Sequence, residues 1–137
     1  MKFVINLLLG LLVTLALSSV SLAYQQAIDS GKDAFKRGQF ELAAQYWEQA
    51  RQRISKNEPK YVDVSVSLAA AYQKLGRLTK AFEVLESARD NVGNISAPKE
   101  RAVSRAKVRM HLSDVYVALR DYEKDRMDCG MKEVSQK

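Results

Sequence analysis

The sequence predicts an all-α fold built from antiparallel helical hairpins, and three observations carry that expectation. From Ala27 onward Ala, Leu, Glu, Lys, Gln and Arg dominate, with apolar residues at three- and four-residue spacing and no alternating, strand-like run. Gly38 and Gly76 interrupt the pattern where a helix must end in a left-handed cap and turn back, a conformation glycine adopts without steric penalty. Finally, Gly38, Phe40, Ala43, Trp47 and Ala50 recur 38 positions later as Gly76, Leu78, Ala81, Leu85 and Ala88. A short chain with an internal repeat of this period reads as stacked supersecondary units.

The elements follow from the punctuation. A first helix is expected from Tyr24 to Arg37 and a second from Phe40 to Lys56, divided by Gly38. The segment Asn57-Glu58-Pro59 ends in a proline suited to the start of a third helix, from Lys60 to Leu75. A fourth runs from Leu78 to Asn91, and the break from Asn91 to Pro98 leads into a fifth from Lys99 to Leu119. A sixth, weaker helix is expected from Asp121 to Val134, because Gly130 interrupts it and Asp121, Asp125 and Asp128 thin its apolar face.

Aligned on the repeat, the first unit carries Gly31, Ala34, Gly38, Phe40, Ala43, Trp47 and Ala50, and the second Ala69, Tyr72, Gly76, Leu78, Ala81, Leu85 and Ala88. Small Gly31/Ala69 and Ala43/Ala81 let two helices approach closely, while Phe40, Trp47, Tyr72 and Leu85 fill the space between neighbours. This pattern resembles the tetratricopeptide repeat, of the short exported bacterial type, whose 34-residue unit carries these residue types at these spacings. The resemblance implies a short right-handed solenoid with units at about 24–57, 60–92 and 99–136. In the third unit Leu112, Ser113, Tyr116, Leu119 and Tyr122 match, but Arg120 stands at the turn glycine and Asp125 at the packing alanine. Such a degraded unit suits a cap, where a polar outer face is wanted.

Composition bounds the function. Lys2 precedes a charge-free apolar run from Phe3 to Leu17 and a small-residue stretch ending in Ala23, which reads as a signal peptide over residues 1–23 cut before Tyr24. The other reading is an uncleaved anchor over residues 3–23, long enough to cross a bilayer of about 30 Å. Either way residues 24–137 form one helical-repeat domain, expected to be exported, periplasmic or secreted, with no other membrane attachment. The formal charge of +6 fits solvated helix faces or an acidic protein partner, and export argues against nucleic acid. Cys129 is the sole cysteine, so no internal disulfide can form.

Chemistry is sparse. One histidine, His111, and one cysteine, Cys129, cannot build a metal site from nitrogen and sulfur ligands, and neither a metal nor a cofactor is expected. A nucleophile and base pair would require these two residues on facing helices of a closed final hairpin; this is the remote hydrolase alternative to a non-enzyme. Asn94-Ile95-Ser96 matches a glycosylation acceptor only by coincidence in a chain with a bacterial type of leader.

What the resemblance does supply is a groove. Carrying over the family's lining positions gives Ile28, Lys32, Phe35 and Lys36 from the first unit, and Asp63, Val66, Ala70, Gln73 and Lys74 from the second. The third supplies Lys107, Met110, Asp114 and Val117. This mix suits a peptide or protein bearing acidic and apolar side chains. The carboxylate-clamp version of the family needs an asparagine where Lys32 stands, so capture of a partner's carboxyl terminus is not implied. The expectation is thus an exported adaptor or scaffold, with a self-associating structural piece, or the front of a larger assembly, as the alternative.

Overall fold

The computed structural model describes Met1 and residues 22–134, with side chains to residue 127. The leader expected over residues 1–23 therefore lies almost wholly outside the described residues. Among the described residues there are five α-helices: α1 over 22–36, α2 Phe40–Arg53, α3 Pro59–Lys74, α4 Leu78–Asn91 and α5 Pro98–Val134, with a short 3-10 turn, Val92–Asn94, before α5. The fold is all-α, with no strand among the described residues.

The two glycine turns are copies of one another. Gly38 has φ +75° and Gly76 φ +70°, and a Cβ at either would meet nothing within 4 Å, so backbone conformation alone demands glycine there. At the first, Gly38 N–H donates to Phe35 and Gln39 N–H to Ala34; at the second, Gly76 N–H donates to Gln73 and Arg77 N–H to Tyr72. These are the paired bonds of the Schellman cap, displaced by 38 residues. Ala43 and Ala81 then start the next helices with identical bonds to the Gln39 and Arg77 carbonyls.

Between helices the alanines set the spacing. Ala34, Ala43, Ala50, Ala71, Ala81 and Ala88 are completely buried, and the larger core residues Trp47, Tyr72, Leu68 and Leu85 pack among them. Gly31 is glycine for a different reason from Gly38: a Cβ there would sit 2.4 Å from Trp47 Nε1, whose N–H donates to the Ile28 carbonyl at 3.2 Å. Phe35 lies against Phe40 and Trp47 at ring separations of 5.1 and 5.6 Å, closing the α1–α2 hairpin.

Side-chain pairs give the layering. Arg77 meets Glu41 at 2.9 Å and Arg51 meets Ser65 at 3.0 Å, so α2 and α3 are antiparallel. Lys60 bonds Gln25 at 2.9 Å and Lys107 pairs with Asp63, which sets α1 and α5 alongside α3 and on either side of it. Arg51 also reaches Ser87 at 2.9 Å, joining α2 to α4 beneath. As a result α3 is covered on three sides, with Tyr61, Val62, Val64, Ser65, Leu68, Ala69, Ala71 and Tyr72 all buried.

The last element departs from expectation. In place of two helices divided near Arg120, α5 is one helix of 37 residues, about 55 Å long. Its first half keeps the repeat register: a notch of about 390 Å³ between Gly76–Lys80 and Leu119 reproduces one of about 380 Å³ between Gly38–Leu42 and Leu75. Beyond Leu119 nothing forces a turn. Arg120 lacks the freedom for positive φ that ends α1 and α3, and a glycine such as Gly130 inside a helix costs only about 1 kcal/mol. The second helix also ends earlier than expected, at Arg53, because Ile54 turns extended (ψ 136°) and buries itself in the core.

Candidate binding face

After Pro59, the α3 residues that its neighbours do not bury are the exposed Lys60, Asp63 and Lys74 and the half-buried Val66, Ser67, Ala70 and Gln73, a strip along one side of the helix. It is the floor of a face whose walls are α1 and α5. At its lower end α3 and α5 enclose a hollow of about 210 Å³ containing Pro59, Asp63, Lys99, Val103 and Lys107. The strip contains every position expected from the second unit.

The walls differ from the expectation in several places. Ile28 is buried, its carbonyl engaged by Trp47, and Phe35 is half-buried in the aromatic cluster with Phe40 and Trp47. Both belong to the hairpin core and are not open to a guest. On α5, Lys107 and Asp114 flank the floor, and Met110 and Val117 are exposed at the register positions that Val66 and Gln73 hold on α3.

Charge on the face is partly cancelled within the chain. Lys32 pairs with Asp29 at 3.1 Å, and Lys107 with Asp63. Hydrogen bonds from Gln25 and then Lys32 hold the Asp29 carboxyl below its ordinary pKa, so it stays charged. Lys36, Lys74 and Asp114 make no ion pair among the described residues. The face is therefore less basic than its lysines suggest, with its free positive charge at the end near the glycine turns.

On the opposite layer a polar cluster escaped the sequence reading. The half-buried Arg51 guanidinium donates to Ser65 Oγ (3.0 Å) and Ser87 Oγ (2.9 Å) and lies 4.9 Å from the Tyr61 ring centre, while Tyr61 Oη and Ser87 Oγ are 3.3 Å apart. Three helices meet at this one cation, which ties α2 to α3 and α4. Nearby, Tyr72 donates to Glu48, and burial followed by that bond pushes its phenol up to about 12.

His111 and Cys129 share one continuous helix, 18 residues and so about 27 Å apart along its axis, which removes the facing arrangement the hydrolase alternative required. Among the described residues no group of histidine, cysteine and carboxylate side chains is placed to hold a metal ion, and no helix is long and apolar enough to cross a membrane. No family model, curated protein or solved structure matches this chain.

Proposed function

We propose that the chain is a non-enzymatic, exported interaction module of tetratricopeptide type, holding a protein or peptide partner against the face formed by α1, α3 and α5. One observation supports the reading above all: α3 is buried on three sides yet keeps the strip from Asp63 to Lys74 open between two flanking helices. A central helix enclosed this way is what a stacked-hairpin array provides, and such arrays act through that surface. Because Lys32 and Lys107 are neutralised in place, the guest is a segment with an apolar side and a few acidic groups meeting Lys36 and Lys74. Export rests on the leader over residues 1–23.

A photo-crosslinking residue at Lys74, compared with one at exposed Glu83 on α4, tests the face in cells. Adducts specific to position 74 and abolished by Lys36→Glu with Ala70→Arg support the reading. Equal labelling at both positions, or adducts that survive those changes in a folded protein, reject it.

A further inference from the structure

The first half of α5 has two apolar sides and uses only one. Ser104, Val108, Leu112 and Val115 are buried against α3 and α4. Successive residues turn by about 100°, which places Ala106, Met110, Ser113 and Val117 on the far side, with Val103 at its edge beside the α3–α5 hollow that it lines. All five are exposed, Val103 at 54%, Met110 at 57% and Val117 at 47%. A helix that merely ends an array should be polar there. Its charges are instead displaced to the two flanks, Lys107 and Asp114 on one and Arg105 and Arg109 on the other.

The strip reads the same in both directions about Met110. Valine, small residue, methionine, small residue, valine is an order of residue types that reversal preserves, and Lys107 and Asp114, three residues before and four after Met110, come within one residue of exchanging places. Ala106 and Ser113, one turn on either side, leave room for a second backbone to come close. Ser113 also occupies the repeat position at which Gly31 admits Trp47, so α5 keeps the space for a packed helix that its own chain, running straight on past Arg120, does not supply. In the first two units that space is filled by α2 and α4.

We propose that the outward side of α5 joins a second copy of this chain, α5 against α5 in opposite directions, about a two-fold axis beside Met110. Val103 of each copy then meets Val117 of the other, the two Met110 side chains meet on the axis, and Lys107, which pairs with Asp63 in its own chain, also lies beside Asp114 of the second copy. The interface is self-complementary, as a closed two-fold dimer requires. It takes up Val103 and Lys107, which also line the α3–α5 hollow, so the dimer and a guest on the candidate face share the α5 wall.

Sedimentation of the purified chain over a wide concentration range is the test, with Met110→Glu, Asp114→Lys and a Met110→Cys, Cys129→Ser double variant. A reversible dimer is expected, weakened at least tenfold by Met110→Glu, which sets two like charges on the axis, and also by Asp114→Lys. Because Met110 is exposed, unchanged circular dichroism should accompany the loss. The thiols introduced at position 110 should cross-link, while Arg105→Cys in the same background should not. A strict monomer at every concentration, a dimer indifferent to Met110→Glu, or cross-linking at 105 and not at 110 would each overturn the proposal.

Discussion

Replacing Gly31 with alanine sets two physical effects against each other, and the structure decides the sign. Helix propensity alone favours the change: alanine in a helix interior stabilises by about 1 kcal/mol relative to glycine. The new methyl, however, would lie 2.4 Å from Trp47 Nε1 and 2.7 Å from Cδ1, atoms of a buried ring. Overpacking of this kind costs about 1–3 kcal/mol. Displacing the ring also breaks its bond to the Ile28 carbonyl, and a buried N–H left unpaired costs roughly another 1–3 kcal/mol. The expected net is a destabilisation of about 1–5 kcal/mol, read as a lower urea midpoint by circular dichroism. Trp47→Phe removes the indole nitrogen, so it should lose stability alone yet relieve much of the Gly31→Ala penalty in the double variant. If Gly31→Ala raises the midpoint, or the two changes simply add, the close packing of α1 on α2 does not control stability there.

The glycine turns offer a matched pair: Gly38→Ala and Gly76→Ala should each cost about 1–2 kcal/mol, because each forces a side chain to positive φ in open space, and the two urea midpoints should fall by similar amounts. Arg51→Gln should lower stability by about 1–3 kcal/mol through loss of the bonds to Ser65 and Ser87, whereas the same change at exposed Arg53 should be nearly silent in the same assay. Tyr72 gives a pH signature. Its folded pKa, about 12, lies above the ordinary 10, so its contribution is complete below pH 10 and disappears as pH rises towards 12; thermal melts should show that loss in the natural chain and less of it in Tyr72→Phe.

The parts of the fold legible in the sequence were those set by local rules. Positive φ at two turns can only mean glycine, and close helix contact selects alanine, so Gly38, Gly76, Ala43 and Ala81 reported their own environments. Arg120 was legible too, as a missing glycine, but the reading still divided the helix there, because acidic residues and Gly130 looked like a new element when no steric reason for a turn existed. The floor of the candidate face followed from repeat register. Its electrostatics did not: Lys107 and Asp63 are 44 residues apart, and their pairing depends on how α5 lies beside α3. Arg51 was hidden for the same reason, since Ser65 and Ser87 acquire meaning only once three helices meet. On α5 the seven-residue spacing of Val103, Met110 and Val117 was present in the sequence, but that all three stand exposed depends on how α5 lies against α3 and α4.

The enclosure of α3 also bears on how the chain folds. Helices that neighbour in sequence neighbour in space here, so little loop entropy opposes their docking and folding should be fast. α3 is the element most of these contacts share, with the first hairpin on one side and α4 and α5 on the other. Backbone amides of Val62, Leu68 and Ala69 should accordingly exchange with solvent only on global opening, whereas α1 can detach in smaller excursions that cost Trp47 its partner and leave the rest standing.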